Sequence, residues 1–218
     1  MTAGSRTKTL TRLALLIAIE LMVGLIPMLG YIPMPGLQIT TQHIPVIIAG
    51  VLLGVKGGAA VGFVFGLTSF LNATFIQPNP IFSPLFSPFY SNGVFEGNAL
   101  SLVICFVPRI LVGVVAALIF KCIVRALKGG AATSSAVAAV FGSMTNTVLV
   151  LLGIYFFFGA QYAGALDIPI DQLFAIAVGG TIVANGIPEA IAAVVLTAAV
   201  CKIVISVERA SGKRREDL

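Results

Sequence analysis

The stretch from Ala99 to Arg125 places Arg109 deep inside an apolar segment, whose other two charges, Lys121 and Arg125, lie near its end. Its length exceeds the roughly 20 residues that a helix needs to cross a bilayer. Arg109 lies near the middle of the stretch, directly after Pro108. A guanidinium at that depth costs on the order of 3 kcal/mol or more, so we expect an acidic side chain or an anionic ligand to compensate it. The segment predicts a membrane helix bundle that captures a small anionic molecule.

The composition indicates one integral membrane domain over residues 1–218. Charged residues make up 10% of the chain, against about a quarter in soluble domains. The apolar runs predict an all-α membrane protein, a compact bundle of six transmembrane helices. Their approximate bounds are residues 10–29, 39–55, 58–75, 99–125, 136–158 and 173–205.

Positive charges are distributed unevenly between the two sides of the predicted bundle. Of the thirteen lysines and arginines, all except Arg109 fall on the side of the N-terminus or at helix ends that face it. The three loops on the opposite side contain none. Because lysine and arginine concentrate in cytoplasmic segments, we expect a multi-pass protein of the bacterial cell membrane with both termini in the cytoplasm.

Three charged residues lie well inside the predicted spans: Arg109, Glu20 and Glu189. One interpretation is a buried pair between Arg109 and either glutamate that only holds helices together. The other is that Arg109 faces a carboxylate or phosphate ligand, since its planar fork binds a carboxylate at two points. Ionisable residues inside membranes are candidates for function by default.

Three asparagines occupy positions inside the predicted helices. Asn146 and Asn185 fall at mid-depth on helices 5 and 6, and Asn72 falls near the outer end of helix 3. An amide both donates and accepts hydrogen bonds, which suits a ligand rich in hydroxyls and amides. The alternative is that these side chains form hydrogen bonds between helices.

Gln42 and His43 fall where the first loop meets helix 2. They are candidates for ligand contact, although a histidine before a proline also serves to bond a helix start. Tyr155 falls near the outer end of helix 5. One interpretation is that it lines a pocket, and the other is that it anchors the helix at the membrane surface.

The loop from Ile76 to Asn98 carries four prolines among aromatic residues, which predicts an ordered apolar lid over a pocket.

Small residues at four-residue spacing predict close helix packing. Ala14 and Ala18 form such a pair on helix 1, and Gly58, Gly62 and Gly66 form a row on helix 3.

No Walker A, GxSxG or HExxH motif occurs, and three scattered cysteines with one histidine form no zinc motif. We therefore expect no enzyme, no metal or other cofactor and no nucleic-acid partner.

Several segments together resemble the substrate-binding S components of energy-coupling factor (ECF) vitamin transporters. They are the pair Ala14 and Ala18, the run HIPVIIAGVLLG from His43, the glycine-rich helix 3, the run FVPRILVG from Phe106, and SMTNT from Ser143. The runs that begin at His43, Phe106 and Ser143 are the more specific ones, and together they are most similar to the pantothenate type.

The resemblance implies a membrane subunit that binds a vitamin, most similar in type to the subunits that bind pantothenate, under extracytoplasmic loops. It also implies docking through Ala14 and Ala18 on a transmembrane coupling subunit, which carries two ABC ATPases, and delivery by toppling within the lipid. Folate, riboflavin or a thiamine precursor are alternative ligands. An intramembrane enzyme acting on a lipid is a further alternative, for which no reactive dyad is visible.

Overall fold

Helices dominate the structure, because inside lipid every backbone N–H and C=O must be bonded within its own segment or sheet. The computed structural model describes residues 3–26, 29–34, 37–91, 93, 95–126 and 128–210. The helices are α1 Ala3–Leu25, α2 His43–Leu71, α3 Ser83–Phe86, α4 Ala99–Ala126, α5 Ala131–Ala165 and α6 Ile187–Ala210. Two antiparallel strands, β1 Tyr31–Met34 and β2 Leu37–Thr40, form a hairpin.

The β-hairpin is an addition that the sequence analysis did not predict. We predicted that helix 2 begins at residue 39, but it begins at His43, and Ile39 pairs with Ile32 across the hairpin. The β-branched run from Ile39 to Thr41 favours extended backbone, which explains the later helix start. Pro33 is tolerated in β1 because a two-stranded sheet has only edge strands.

A break at Gly54 divides α2 into two halves. Gly54 has φ 77° and ψ −168°, a conformation open to glycine and strained for other residues. Gly50 and Gly58 would lie about 12 Å apart along a straight helix, yet a Cβ on either would come within 2.6 Å of the Gly113 carbonyl oxygen. The chain therefore bends sharply at Gly54, and residues 56–57, which fall between the predicted helices 2 and 3, are helical.

Several other helix bounds differ from the predicted ones. Helix α1 ends at Leu25, before the predicted residue 29, and α5 runs from Ala131 to Ala165, beyond the predicted residues 136–158. A glycine inside a helix costs only about 1 kcal/mol, so Gly159 does not end α5. Pro27, Pro35, Gly36 and the tail residues 211–218 lie outside the described residues.

Irregular turns precede and interrupt the predicted sixth helix. A 3₁₀ turn at Ile170–Gln172 and π-helical turns at Phe174–Gly179 and Ile182–Gly186 lead into α6. Within the described part of the chain, four helical segments are long and apolar enough to cross a membrane. They are His43–Ile76, Ala99–Ala126, Ala131–Ala165 and Ile182–Glu208. The chain is a multi-pass membrane protein.

The second half of α2 packs closely on α4 through the predicted row of glycines, and this prediction is confirmed. A Cβ on Gly58 would meet the Gly113 carbonyl oxygen at 2.6 Å, and one on Gly62 would meet the Arg109 carbonyl oxygen at 2.4 Å. A Cβ on Gly66 would meet the Phe106 ring at 2.7 Å. The glycines thus bring two helix backbones together, as small residues do in membrane bundles.

Two clusters of buried apolar side chains form the core. The first joins α1, α2, α4, α5 and α6 and includes Phe65 and Phe120. The second joins α3, α4, α5 and the segment before α6 around Phe95 and Phe158. Phe86 packs against the second cluster, and the cavity described below lies where the two clusters meet.

We expect Gly62→Ala to lower the free energy of unfolding by about 1–3 kcal/mol, because the added methyl overpacks α2 against the α4 backbone. Thermal melting of the detergent-purified protein measures this loss. Gly164→Ala is the matched control, since a Cβ on Gly164 meets nothing within 4 Å. Equal melting temperatures for the two variants would contradict the close approach of α2 and α4.

Candidate functional site

Arg109 is buried in the middle of α4, and only 6% of it is exposed. Its Nη1 donates a hydrogen bond to the carbonyl oxygen of Ile104 at 2.7 Å. The side chain points back toward the start of α4, because Cβ atoms in a helix tilt toward its N-terminus. This places the guanidinium beside the helix at the level of Ile104.

Two aromatic rings face the guanidinium from other elements. The Cζ of Arg109 lies 4.6 Å from the ring centroid of Phe86, at the end of α3, and 5.4 Å from that of Phe65 in α2. Both distances fall within the range of cation–π attraction, which strengthens as water is removed. The two rings supply part of the stabilisation that a buried cation needs.

A cavity of about 150 Å³ opens next to the guanidinium. Its described lining combines one cation, one carboxylate, two amides and three hydroxyls with an apolar side. The lining residues are Thr40, Phe65, Phe86, Arg109, Asn146, Thr147, Val150, Leu151, Thr181, Asn185 and Glu189. An arrangement of this kind can bind a small polar molecule that carries one negative charge.

Two helices contribute regular faces to the cavity wall. Asn146, Thr147, Val150 and Leu151 are spaced by one and four residues, so they share one face of α5. Thr181, Asn185 and Glu189 follow each other at four-residue spacing on the segment that becomes α6. The polar side chains of both segments therefore converge on the same space.

Glu189 joins α6 to the β-hairpin. One carboxylate oxygen, Oε1, accepts a hydrogen bond from the backbone N–H of Thr40 at 2.7 Å. Glu189 is only 5% exposed, and Thr40 is the last residue of β2. The carboxylate thus fixes the end of the hairpin at the edge of the cavity.

Four of the predicted binding residues line this cavity together: Arg109, Asn146, Asn185 and Glu189. The other four are not among its described lining residues. The Asn72 side chain donates a hydrogen bond to the carbonyl of Gly24. It thereby joins the π-helical turn Asn72–Ile76, which directly follows α2, to α1, in agreement with the interhelical alternative.

The remaining three predicted residues lie elsewhere. Gln42 is fully buried, with its amide against the backbone of Gly30, and His43 is buried at the start of α2. Tyr155 stacks edge-on against Phe174 and lines a second cavity, between α5 and the 3₁₀ turn. Glu20, the other intramembrane acid, is completely buried in α1 and is not among the described lining residues.

Sequence reasoning missed part of the cavity wall. Val150 and Thr181 could have been found from helical spacing, because they lie four residues from Asn146 and Asn185. Phe65 carried no such signal, because apolar residues fill the same stretch of the chain. Thr40 was missed because the hairpin that presents it was not predicted.

Among the described residues, no group of three or more histidines, cysteines or acids could hold a metal ion. The described lining residues of the cavity offer charge, hydrogen bonds and apolar contact to a ligand.

Comparisons with known proteins agree with this picture of a small-molecule site in a membrane bundle. A family model described as the substrate-specific component of ECF transporters matches residues 8–201. The pantothenic acid transporter PanT of Lactococcus lactis subsp. cremoris (strain MG1363) is similar at 36% identity over 198 residues. The alignment covers 90% of this chain and 93% of that relative.

We expect Glu189→Ala to release the Thr40 amide and to speed its hydrogen exchange about tenfold, because the amide loses a charge-assisted bond. Hydrogen-exchange mass spectrometry of the hairpin peptide measures the change. Glu189→Gln is the matched control, since its amide keeps an oxygen that accepts the bond. Unchanged exchange in Glu189→Ala would show that other contacts hold the hairpin.

Proposed function

The chain belongs to the family of ECF transporter substrate-specific components, and from this membership we propose that its ligand is pantothenate, bound in the cavity beside Arg109. The observation that carries the proposal is the meeting of one buried cation with two amides in a small cavity. The name of the Lactococcus relative supports the same vitamin.

The chemistry of pantothenate matches the lining of the cavity. Its carboxylate suits Arg109, because a guanidinium can donate two parallel N–H bonds to a carboxylate. Its amide and two hydroxyls suit Asn146, Asn185 and the threonine hydroxyls. Its geminal methyl groups suit the apolar side, which includes Val150 and Leu151.

Glu189 helps to orient the ligand in this proposal. A carboxylate repels another carboxylate and accepts hydrogen bonds from hydroxyls. The ligand therefore directs its carboxylate to Arg109 and its hydroxyl end toward Glu189. One cation and one anion in the same wall thus select a molecule with distinct charged and polar ends.

Among the candidate vitamins, pantothenate requires a smaller enlargement of the cavity than riboflavin or folate, because those two carry large ring systems. A cavity of 150 Å³ accommodates a molecule about the size of benzene. Pantothenate is larger, so its entry requires side chains of the wall to move. We expect the hairpin that carries Thr40 and the end of α3 that carries Phe86 to move as lids over the site.

We propose six membrane crossings with both termini in the cytoplasm. The crossings are α1, the two halves of α2, α4, α5 and the helical segment that ends in α6. The exposed Lys56 lies two residues after the bend at Gly54, which suits a cytoplasmic turn. The half from His43 to Leu53 measures about 16 Å and so covers only part of the roughly 30 Å core.

The partners in this proposal are a transmembrane coupling subunit with two ABC ATPases, and the surrounding lipid. Ala14 and Ala18 are both exposed on α1, as a docking face requires. Small side chains let a partner helix approach closely. The loaded protein then topples within the membrane while docked, and the ATPases reset it.

We expect Arg109→Gln to weaken pantothenate binding about 30-fold or more, because a charge-assisted pair is lost. The uncharged alcohol analogue, in which CH₂OH replaces the carboxylate, should bind both proteins within about threefold of each other. Isothermal titration calorimetry in detergent measures the four affinities.

Two results would contradict this role of Arg109. One is an equal loss of affinity for pantothenate and for the alcohol, which would assign Arg109 to folding alone. The other is wild-type affinity in the double variant Arg109→Glu with Glu189→Arg. That outcome would support a purely structural ion pair.

We expect replacement of both Ala14 and Ala18 by leucine to abolish pantothenate uptake by cells and to leave binding by the purified protein unchanged. Leucines on an exposed face block a partner helix without disturbing the core. Ala160→Leu, at an exposed position of α5, is the control and should retain uptake. Loss of binding in the double variant would mean that this face packs within the protein itself.

A further inference from the structure

Pro108 removes a backbone donor next to the buried arginine. It lies inside α4, where a residue normally donates its N–H to the carbonyl four positions earlier. Proline has no N–H, so the carbonyl of Ile104 lacks the donor that position 108 supplies in a regular helix. A buried carbonyl deep in a membrane needs another donor.

The guanidinium of Arg109 is that donor. Its Nη1 lies 2.7 Å from the Ile104 oxygen, five residues back along the chain. A bond from a charged donor is shorter and stronger than a neutral one. Pro108 leaves the Ile104 carbonyl without its helical donor, and the next residue in the sequence, Arg109, supplies the replacement.

We propose that Pro108 is a positioning residue for ligand binding: by leaving the Ile104 carbonyl without its helical donor, it orients the Arg109 guanidinium toward the cavity. The carbonyl belongs to a rigid helix, so the planar fork is held in one orientation before the ligand arrives. The ring of Phe86, 4.6 Å from Cζ, supports that orientation from another element. This inference rests on the proposed function, and it assigns a role to a residue that does not line the cavity.

Restoring an amide at position 108 provides the test. In Pro108→Ala, the new N–H can donate to the Ile104 carbonyl and so compete with Arg109 for it. The Arg109 guanidinium then loses its hydrogen bond to the Ile104 carbonyl. The ligand has to order the side chain as it binds, which lowers the affinity. We expect pantothenate binding to weaken about tenfold, with little change for the uncharged alcohol analogue. The melting temperature without ligand should stay the same or rise, because a proline inside a helix is destabilising.

The decisive measurement is a double-mutant cycle by calorimetry with Pro108→Ala, Arg109→Gln and their combination. If Pro108 acts through Arg109, its substitution has no further effect in the Arg109→Gln background. Equal losses in both backgrounds, or equal losses for pantothenate and the alcohol, would overturn the proposal. Pro108→Ser restores the same amide with a different side chain and should match Pro108→Ala. Val107→Ala, at an exposed neighbouring position, changes α4 without adding a donor and should bind normally.

A readout without ligand separates this inference from the proposed function. NMR of ¹⁵N-arginine-labelled protein should show one guanidinium signal, absent in Arg109→Gln, whose Nη protons exchange slowly. In Pro108→Ala that signal should move and exchange faster, and an unchanged signal would overturn the inference. If the signal responds but no form binds pantothenate, the proposed function fails and the positioning role stands.

Discussion

The contact between the Arg109 guanidinium and the Ile104 carbonyl is the interaction on which the site depends. Burying a cation in the membrane costs free energy, and the Ile104 carbonyl offsets part of that cost by accepting a hydrogen bond from Arg109. The surrounding packing preserves it: Gly62 lets α2 approach the Arg109 backbone, and Phe86 covers the guanidinium from α3. Charge, helix geometry and close packing therefore support one another at a single point of the bundle, where the two apolar clusters meet.

The cavity combines parts of different rigidity. Its inner walls are long helices with buried faces, which present Arg109 and Asn146 in fixed positions. Its edge includes Thr40 and Phe86, which belong to a two-stranded hairpin and a four-residue helix. Opening a short element breaks fewer backbone hydrogen bonds than opening a long helix, so it costs less free energy. This division suits a receptor that must hold a ligand firmly and still admit it.

Much of the polar lining could be predicted, because a charge or an amide stands out in an apolar helix. Arg109, Asn146, Asn185 and Glu189 were recognised for that reason, and the structure brings them to one cavity. Asn72 looked the same in sequence, but its amide bonds α1 instead, since the direction of a side chain depends on how helices are rotated against each other. Phe65 could not be distinguished in the same way, because apolar residues surround it in the sequence.

The sequence by itself determined the membrane setting, the helical nature of the chain and the presence of an intramembrane cation beside a proline. These properties follow from composition and from residues adjacent in sequence. They can therefore be predicted without knowing which distant residues are in contact. Only the tertiary structure decided that Glu189 reaches Thr40, 149 positions away, and that Phe86 covers Arg109. Such contacts depend on the packing of separate elements, and the bend at Gly54 shows how one backbone conformation redirects that packing.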